Sequence, residues 1–264
     1  MGITLKRLDE LRARGLLSPG SSILDIGSSN LYKAEKTATR EFLAHYGVRP
    51  DDAFVDHLEK GSAYGPNGGT NDVFVGELLE LAGLKYLAFD IANGYRTRVF
   101  DLNSEILPDD LKGTFDTVLN FGTTEHVFNQ LNAFRVIHDA ARPGGHIIHE
   151  LPSVGFIDHG FFCYTPRFLF DLSGHNEYEV IDFAYHGPAI GKDILGIVRD
   201  YQSYFPALSK FLVRKDEERS FFSRFKRVKH PPNIVAYIVL KKVKDLPLRL
   251  PMETSTSVVR AVAG

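Results

Sequence analysis

The sequence has no tryptophan, two methionines and a single cysteine, Cys163. One thiol cannot close a bridge within the chain, so a disulfide-stapled scaffold is excluded and a reducing compartment is the expectation. An excess of one charge is also missing. Lysine and arginine number 31 against 33 acidic residues, a formal net charge of -2. Nothing in that balance draws the whole surface to a polyanion, and a nucleic-acid partner is not expected. No run approaches the roughly 20 apolar residues of a membrane helix, so no transmembrane segment is expected. The opening MGITLKRLDELRARGLLSPG contains no unbroken apolar stretch of signal-peptide length, and its sixth residue is lysine rather than the Ser or Thr of a myristoylation signal. A cytoplasmic protein is the expectation, and neither an internal repeat nor a low-complexity tract is visible.

What is present is apolar patterning, 44% hydrophobic residues over 264 positions, enough for a sizeable core in a single domain over 1–264. Residues 4–17 set Leu5, Leu8, Leu11 and Leu16 among charges at helical spacing before Ser18-Pro19-Gly20 breaks the pattern. Short apolar runs follow: SILDIG, LKYLAFDI, RVFDL, FDTVLNF and GGHIIHEL, then Tyr178–Tyr185 and Asn233–Val243. Helical patterns lie between several of them, at Val73–Ala82, Asn129–Ala141 and Pro166–Ser173. Alternating strands and helices predict a parallel sheet covered on both faces. Two insertions stand out, at about 33–72 and 192–232. The first puts roughly 40 residues where a βα loop takes about 2–6, and includes GSAYGPNGGTND, which reads either as a lid or as a surface insertion. The second is aromatic and basic from Tyr201, interrupted by Asp216, Glu217 and Glu218. It fits an amphipathic helix over the substrate mouth or against a second copy, making a homodimer possible, better than a lipid or single-strand surface.

The stretch SSILDIGSSN, Ser21–Asn30, ends a strand in a small polar turn, the usual place for a nucleotide-like ligand. A pyrophosphate turn of the G-x-G-x-x-G type would place further glycines where Ser29 and Tyr32 stand, and Asp25 sets a negative charge beside it. A ligand with cationic groups and no phosphate suits the turn better.

In order along the chain, ILDIGSSN, Asp90 in KYLAFDI, Asp101 in VFDLNSEILP, FDTVLNFGTTEHV and RVIHDAARPGGHIIHELP resemble the motifs of the class I S-adenosylmethionine-dependent methyltransferases, over roughly Ser22–Val243. The resemblance implies an α/β Rossmann-like seven-stranded mixed sheet, its last strand antiparallel, with helices on both faces. It implies S-adenosylmethionine as cofactor. Asp25, Gly27, Ser28 and Ser29 would hold the methionine part, Asp90 and Ile91 the ribose, and Asp101 and Leu102 the adenine. Asn120, Gly122 and Glu125 would lie near the ammonium group. Ser29 and Leu31 depart from the family's turn glycines and narrow the space beside the ligand.

Methyl transfer from a sulfonium needs chiefly an acceptor held in line, with a base for some acceptors. His126, just past the fourth main strand, is the candidate base; His159 and Tyr164, after the fifth, are candidate acceptor contacts. His146, His149 and His159 with Glu150 and Asp158 invite a metal reading. His146 and His149, however, are three apart on a strand and face opposite sides, so no metal is expected there. A small hydroxylated metabolite or sugar-like compound is the expected substrate. The alternatives are a non-catalytic binding protein of the same fold, and a nicotinamide oxidoreductase using Tyr32 and Lys36, a pair that falls too early in the chain for short-chain dehydrogenases.

Overall fold

The inner apolar runs become strands that are buried on both faces, with alternate residues entering two separate cores. The computed structural model describes residues 2–63, 71–187 and 233–252. The chain opens with β1 (Gly2–Thr4) and α1 (Leu5–Ala13), followed by β2 (Ser22–Ile26) and β3 (Asn30–Tyr32). Three helices come next: α2 (Lys36–Ala44), α3 (Asp52–Gly61) and α4 (Val75–Leu81). The rest alternates: β4 (Lys85–Asp90), β5 (Thr97–Val99), β6 (Phe115–Phe121), α5 (Gln130–Ala140), β7 (Ala141–Val154), α6 (Pro166–His175), β8 (Glu179–His186) and β9 (Ile234–Lys241).

Seven strands make one sheet in the order β5-β4-β2-β6-β7-β9-β8. The first five of these are mutually parallel, and β9, the last in sequence, runs antiparallel to both β7 and β8. This is the mixed seven-stranded sheet expected from the sequence. From β2 the chain builds outward to β4 and β5, then returns to the other side of β2 with β6. The reversal opens a crevice at the carboxyl ends of β2, β4 and β6. Register sets those ends level, since Ile26 pairs with Phe89 on one side and Asn120 on the other.

On β2, Leu24 and Ile26 join one core with Phe89, Val118, Phe134 and Leu169, under α5 and α6. Ile23 joins the opposite core with Leu8, Leu11, Phe42, Leu58 and Leu78. Helix starts are fixed by side chains that take an otherwise unpaired backbone N–H: Thr4 accepts from Arg7, Asn129 from Asn132 and Thr165 from Phe168, where Pro166 also fits the first helical turn.

Three details differ from the sequence reading. The helix predicted over 4–17 ends at Ala13, because Gly15 turns the chain with φ +73°; Leu16 and Leu17 are still buried. Residues Gly2–Thr4 form a strand paired in parallel with β3, a non-local pairing that no local pattern announces. The described part of the 33–72 insertion is helical rather than loop. Phe42, Leu43, Val55 and Leu58 are at most 1% exposed, so α2 and α3 build into the core instead of lying over it. Residues 64–70 of its glycine-rich segment and the 192–232 insertion lie outside the described residues.

Candidate active site

Beyond β2 the backbone turns at Gly27 with φ +109°, a conformation that residues with a side chain rarely adopt. A Cβ there would lie 2.0 Å from Thr123 Oγ1, and Thr123 is itself fixed by donating to the Ile26 carbonyl at 2.6 Å. Ser28 follows with φ +42°, its hydroxyl 2.7 Å from Thr97 Oγ1. Ser29 points inward and gives both its N–H (2.8 Å) and its hydroxyl (3.0 Å) to Asp25. Tyr86 supplies a third donor to the same carboxyl at 2.7 Å. Asp25 is 0% exposed, and burial pushes its carboxyl up. Its role is therefore corrected. With its oxygens facing internal donors, Asp25 holds the turn in shape from within, and the Ser29 side chain belongs to that strut rather than to a ligand.

Outside the turn lies a cavity of about 220 Å³. Gly27, Asp90, Ile91, Asp101, Leu102 and His126 all line it, drawn from the ends of four neighbouring segments. Phe89 and Phe100, stacked at 4.4 Å between centroids, close its inner wall, and Asn103, Thr123 and Val127 complete it. The sequence reading missed these five; Phe89 and Asn103 were within reach, next to Asp90 and two residues after Asp101. Asp90 ends β4 and accepts the Ala92 N–H at Oδ1, 2.9 Å; Oδ2 holds no hydrogen bond among the described residues. Asp101 accepts from the Asn103 backbone, the Asn103 amide and the Ser104 hydroxyl, which together hold its carboxyl below the usual range. Three larger cavities, of about 310, 470 and 250 Å³, contain none of the sequence-predicted site residues. In the first of them Arg7 is already paired with Glu10 and Glu150.

Next to the 220 Å³ cavity the Thr124–His126 turn presents Glu125 and His126. Glu125 is 0% exposed and neither carboxylate oxygen has a hydrogen-bond partner. Burial raises it to about 7. His159 arrives from the loop after β7, with Nε2 3.4 Å from Glu125 Oε1; His126 Nε2 lies at 3.8 Å from the same oxygen. The two imidazoles meet edge-on at 4.8 Å. Burial, and then the neighbouring His159, lower the pKa of His126. The loop is held close because Phe161 N–H donates to the Glu125 carbonyl at 2.8 Å, and a Cβ on Gly160 would meet that carbonyl at 2.9 Å.

Two further assignments are corrected. Tyr164 is 6% exposed, its hydroxyl is bound to Gln130 at 2.6 Å and its ring packs on Phe134 and Phe168, so it does not face an acceptor. Asn120 is 0% exposed and donates to Thr124 and to His149, each at 3.0 Å; neither it nor Gly122 lines the cavity. His149 is the core histidine expected from its strand position, pushed by burial to about 3. Tyr32 and Lys36 form no catalytic pair: Lys36 is held by Asp56 at 2.6 Å on the outer helical layer.

A family model described as a methyltransferase domain matches residues 5–167, well over half the chain. No curated protein matches. Among solved structures, a provisionally assigned methyltransferase of Bacillus halodurans C-125 covers 90% of this chain and 99% of its own at 9% identity and TM-score 0.47. An S-adenosylmethionine-dependent methyltransferase of Archaeoglobus fulgidus covers 89% and 92% at 13% identity and TM-score 0.43. The 1,6-didemethyltoxoflavin N1-methyltransferase of Burkholderia thailandensis covers 91% and 79% at 11% identity and TM-score 0.45. Likenesses this distant carry no residue roles and no acceptor; the family match rests on residues 5–167.

Proposed function

The chain belongs to the methyltransferase-domain family, and from that premise we propose that it transfers a methyl group from S-adenosylmethionine to a hydroxyl of a small metabolite or sugar-like acceptor. The observation that carries this reading is the cavity at the sheet's switch point, where Gly27, Asp90 and Asp101 meet around an apolar slot of Phe89, Phe100, Leu102 and Val127. The donor set fits a nucleoside without phosphates. A flat apolar slot takes a base, a carboxylate with free lone pairs takes a vicinal diol, and two acids at one mouth disfavour a diphosphate. Asp90 would hold the ribose hydroxyls, Leu102 and the stacked phenylalanines the adenine plane, and the glycine turn the methionine end. Ile91, 78% exposed, would cover the ribose from solvent.

When bound, S-adenosylmethionine supplies an electrophilic methyl group on a cationic sulfur that leaves as a neutral thioether. The chain's own part is to bind, to orient and to take a proton. His126 lines the cavity and is held toward its neutral form, so its free imidazole nitrogen is able to accept the acceptor's hydroxyl proton as the new O–C bond forms. His159, beside it, contacts the acceptor.

Two measurements test the reading. Calorimetry should show S-adenosylmethionine binding at one per chain and NAD binding no tighter than background. Release of S-adenosylhomocysteine should then appear with a panel of hydroxylated compounds and not with matched amines. Tight NAD binding, or turnover confined to amines, would reject the cofactor or the acceptor class respectively.

A further inference from the structure

A second ligand position stands beside the cavity, made of Glu125, His126 and His159. One Glu125 oxygen and one nitrogen from each imidazole all lie within 4.8 Å of one another, although His159 is more than thirty residues away in sequence. The carboxylate is the decisive member. It is 0% exposed and both oxygens are without a hydrogen bond, an arrangement that a buried carboxyl relieves either by keeping a proton or by taking a cation. The imidazoles flanking it have side chains 42% and 40% exposed, so the carboxylate is reached from solvent past two nitrogen donors. We propose that Glu125, His126 and His159 bind one divalent transition-metal cation at the mouth of the donor cavity.

Two imidazoles and one carboxylate are a ligand set for zinc and iron-type ions, and three protein ligands leave a position open for a further oxygen. Ligand atoms sharing such an ion stand about 2.0–2.2 Å from it and so about 3–4 Å apart. The Glu125–His159 and Glu125–His126 separations of 3.4 and 3.8 Å already meet that, and rotation of the exposed imidazoles closes the rest. Because His126 also lines the cavity, the open position faces the place where an acceptor hydroxyl has to stand. There the bound ion would hold the acceptor oxygen and ease loss of its proton to water, whereas in the metal-free protein that proton goes to His126 itself. That catalytic role rests on the proposed methyl transfer; the binding of the ion does not.

The test uses full-length protein with any affinity tag removed, stripped with chelator and titrated with Co²⁺ by calorimetry and visible absorption, then with Zn²⁺ as competitor. One Co²⁺ per chain is expected, with d–d bands that Zn²⁺ abolishes. His126→Ala and His159→Ala, both at exposed side chains, should each weaken Co²⁺ binding by at least roughly 10-fold. His57→Ala, which removes a histidine from α3, should leave it within about twofold. Glu125→Gln should bind weakly while still unfolding cooperatively. Absence of saturable binding at one per chain, or equal affinity in wild type, His126→Ala and His159→Ala, overturns the proposal. S-adenosylhomocysteine affinity measured on the same stripped protein separates this failure from a failure of the cofactor assignment.

Discussion

Gly27→Ala isolates the turn on which the donor site is built. Two costs add. A side chain at φ +109° carries backbone strain of about 1–3 kcal/mol. The new methyl would also lie 2.0 Å from Thr123 Oγ1 and 3.1 Å from Thr123 Cβ and Cγ2, an overlap that costs about 1–3 kcal/mol to relieve in a packed site. Thr123 cannot swing aside freely, because its hydroxyl donates to the Ile26 carbonyl in the same turn. The expected loss is therefore roughly 2–6 kcal/mol of folding stability, read by urea denaturation, together with loss of calorimetric S-adenosylmethionine binding. Thr123→Ala separates the two costs. In that background the overlap shrinks while the dihedral strain stays, so the double variant should recover about 1–3 kcal/mol relative to additivity. If Gly27→Ala lost less than about 0.5 kcal/mol and bound the donor normally, the close approach at Gly27 would not exist as described.

Asp90→Ala should weaken S-adenosylhomocysteine binding by about 2–3 kcal/mol, or roughly 30- to 150-fold, as two hydrogen bonds to a carboxylate are lost; Lys85→Ala, at the far end of the same strand, should not, and equal affinities would refute the ribose assignment. Tyr86→Phe should cost about 1–3 kcal/mol in urea by stripping one donor from buried Asp25, with the cavity's outer residues untouched. His149, neutral in the fold down to about pH 3, takes a proton near 6.5 when unfolded. Acid thus favours the unfolded chain. This residue's contribution is constant above pH 6.5 and falls by about 1.4 kcal/mol per unit below it, about 2 kcal/mol by pH 5. His149→Asn should flatten the stability difference between pH 7.5 and pH 5 by that amount, whatever its effect at pH 7.5; an unchanged slope would mean that His149 titrates normally.

The sheet was legible because its inner strands are apolar on both faces and end in punctuation. SILDI stops at Gly27, KYLAFD at a carboxylate, and HIIHEL follows a glycine pair. Gly27 was legible as a strand-end turn, and Asp90 and Asp101 through the resemblance to the methyltransferase motifs; a parallel sheet gathers its carboxyl ends, so the wall residues come with them. Asp25 and Asn120 were misread for one reason: sequence shows a polar residue beside a turn but not which way its side chain faces, and both find partners inside, in Tyr86 and His149. Tyr164 was misread because its hydroxyl partner, Gln130, comes from a helix across the core. The meeting of Glu125, His126 and His159 depends on the path of the loop after β7, fixed by contacts between Glu125 and residues 160–162 that no periodicity encodes.

The most direct measurement is a crystal structure with S-adenosylhomocysteine. The account predicts the nucleoside in the 220 Å³ cavity, its ribose hydroxyls on Asp90, its adenine beside Leu102 and its sulfur turned toward His126. Density for the ligand elsewhere on the molecule, or a ribose that makes no contact with Asp90, would contradict it.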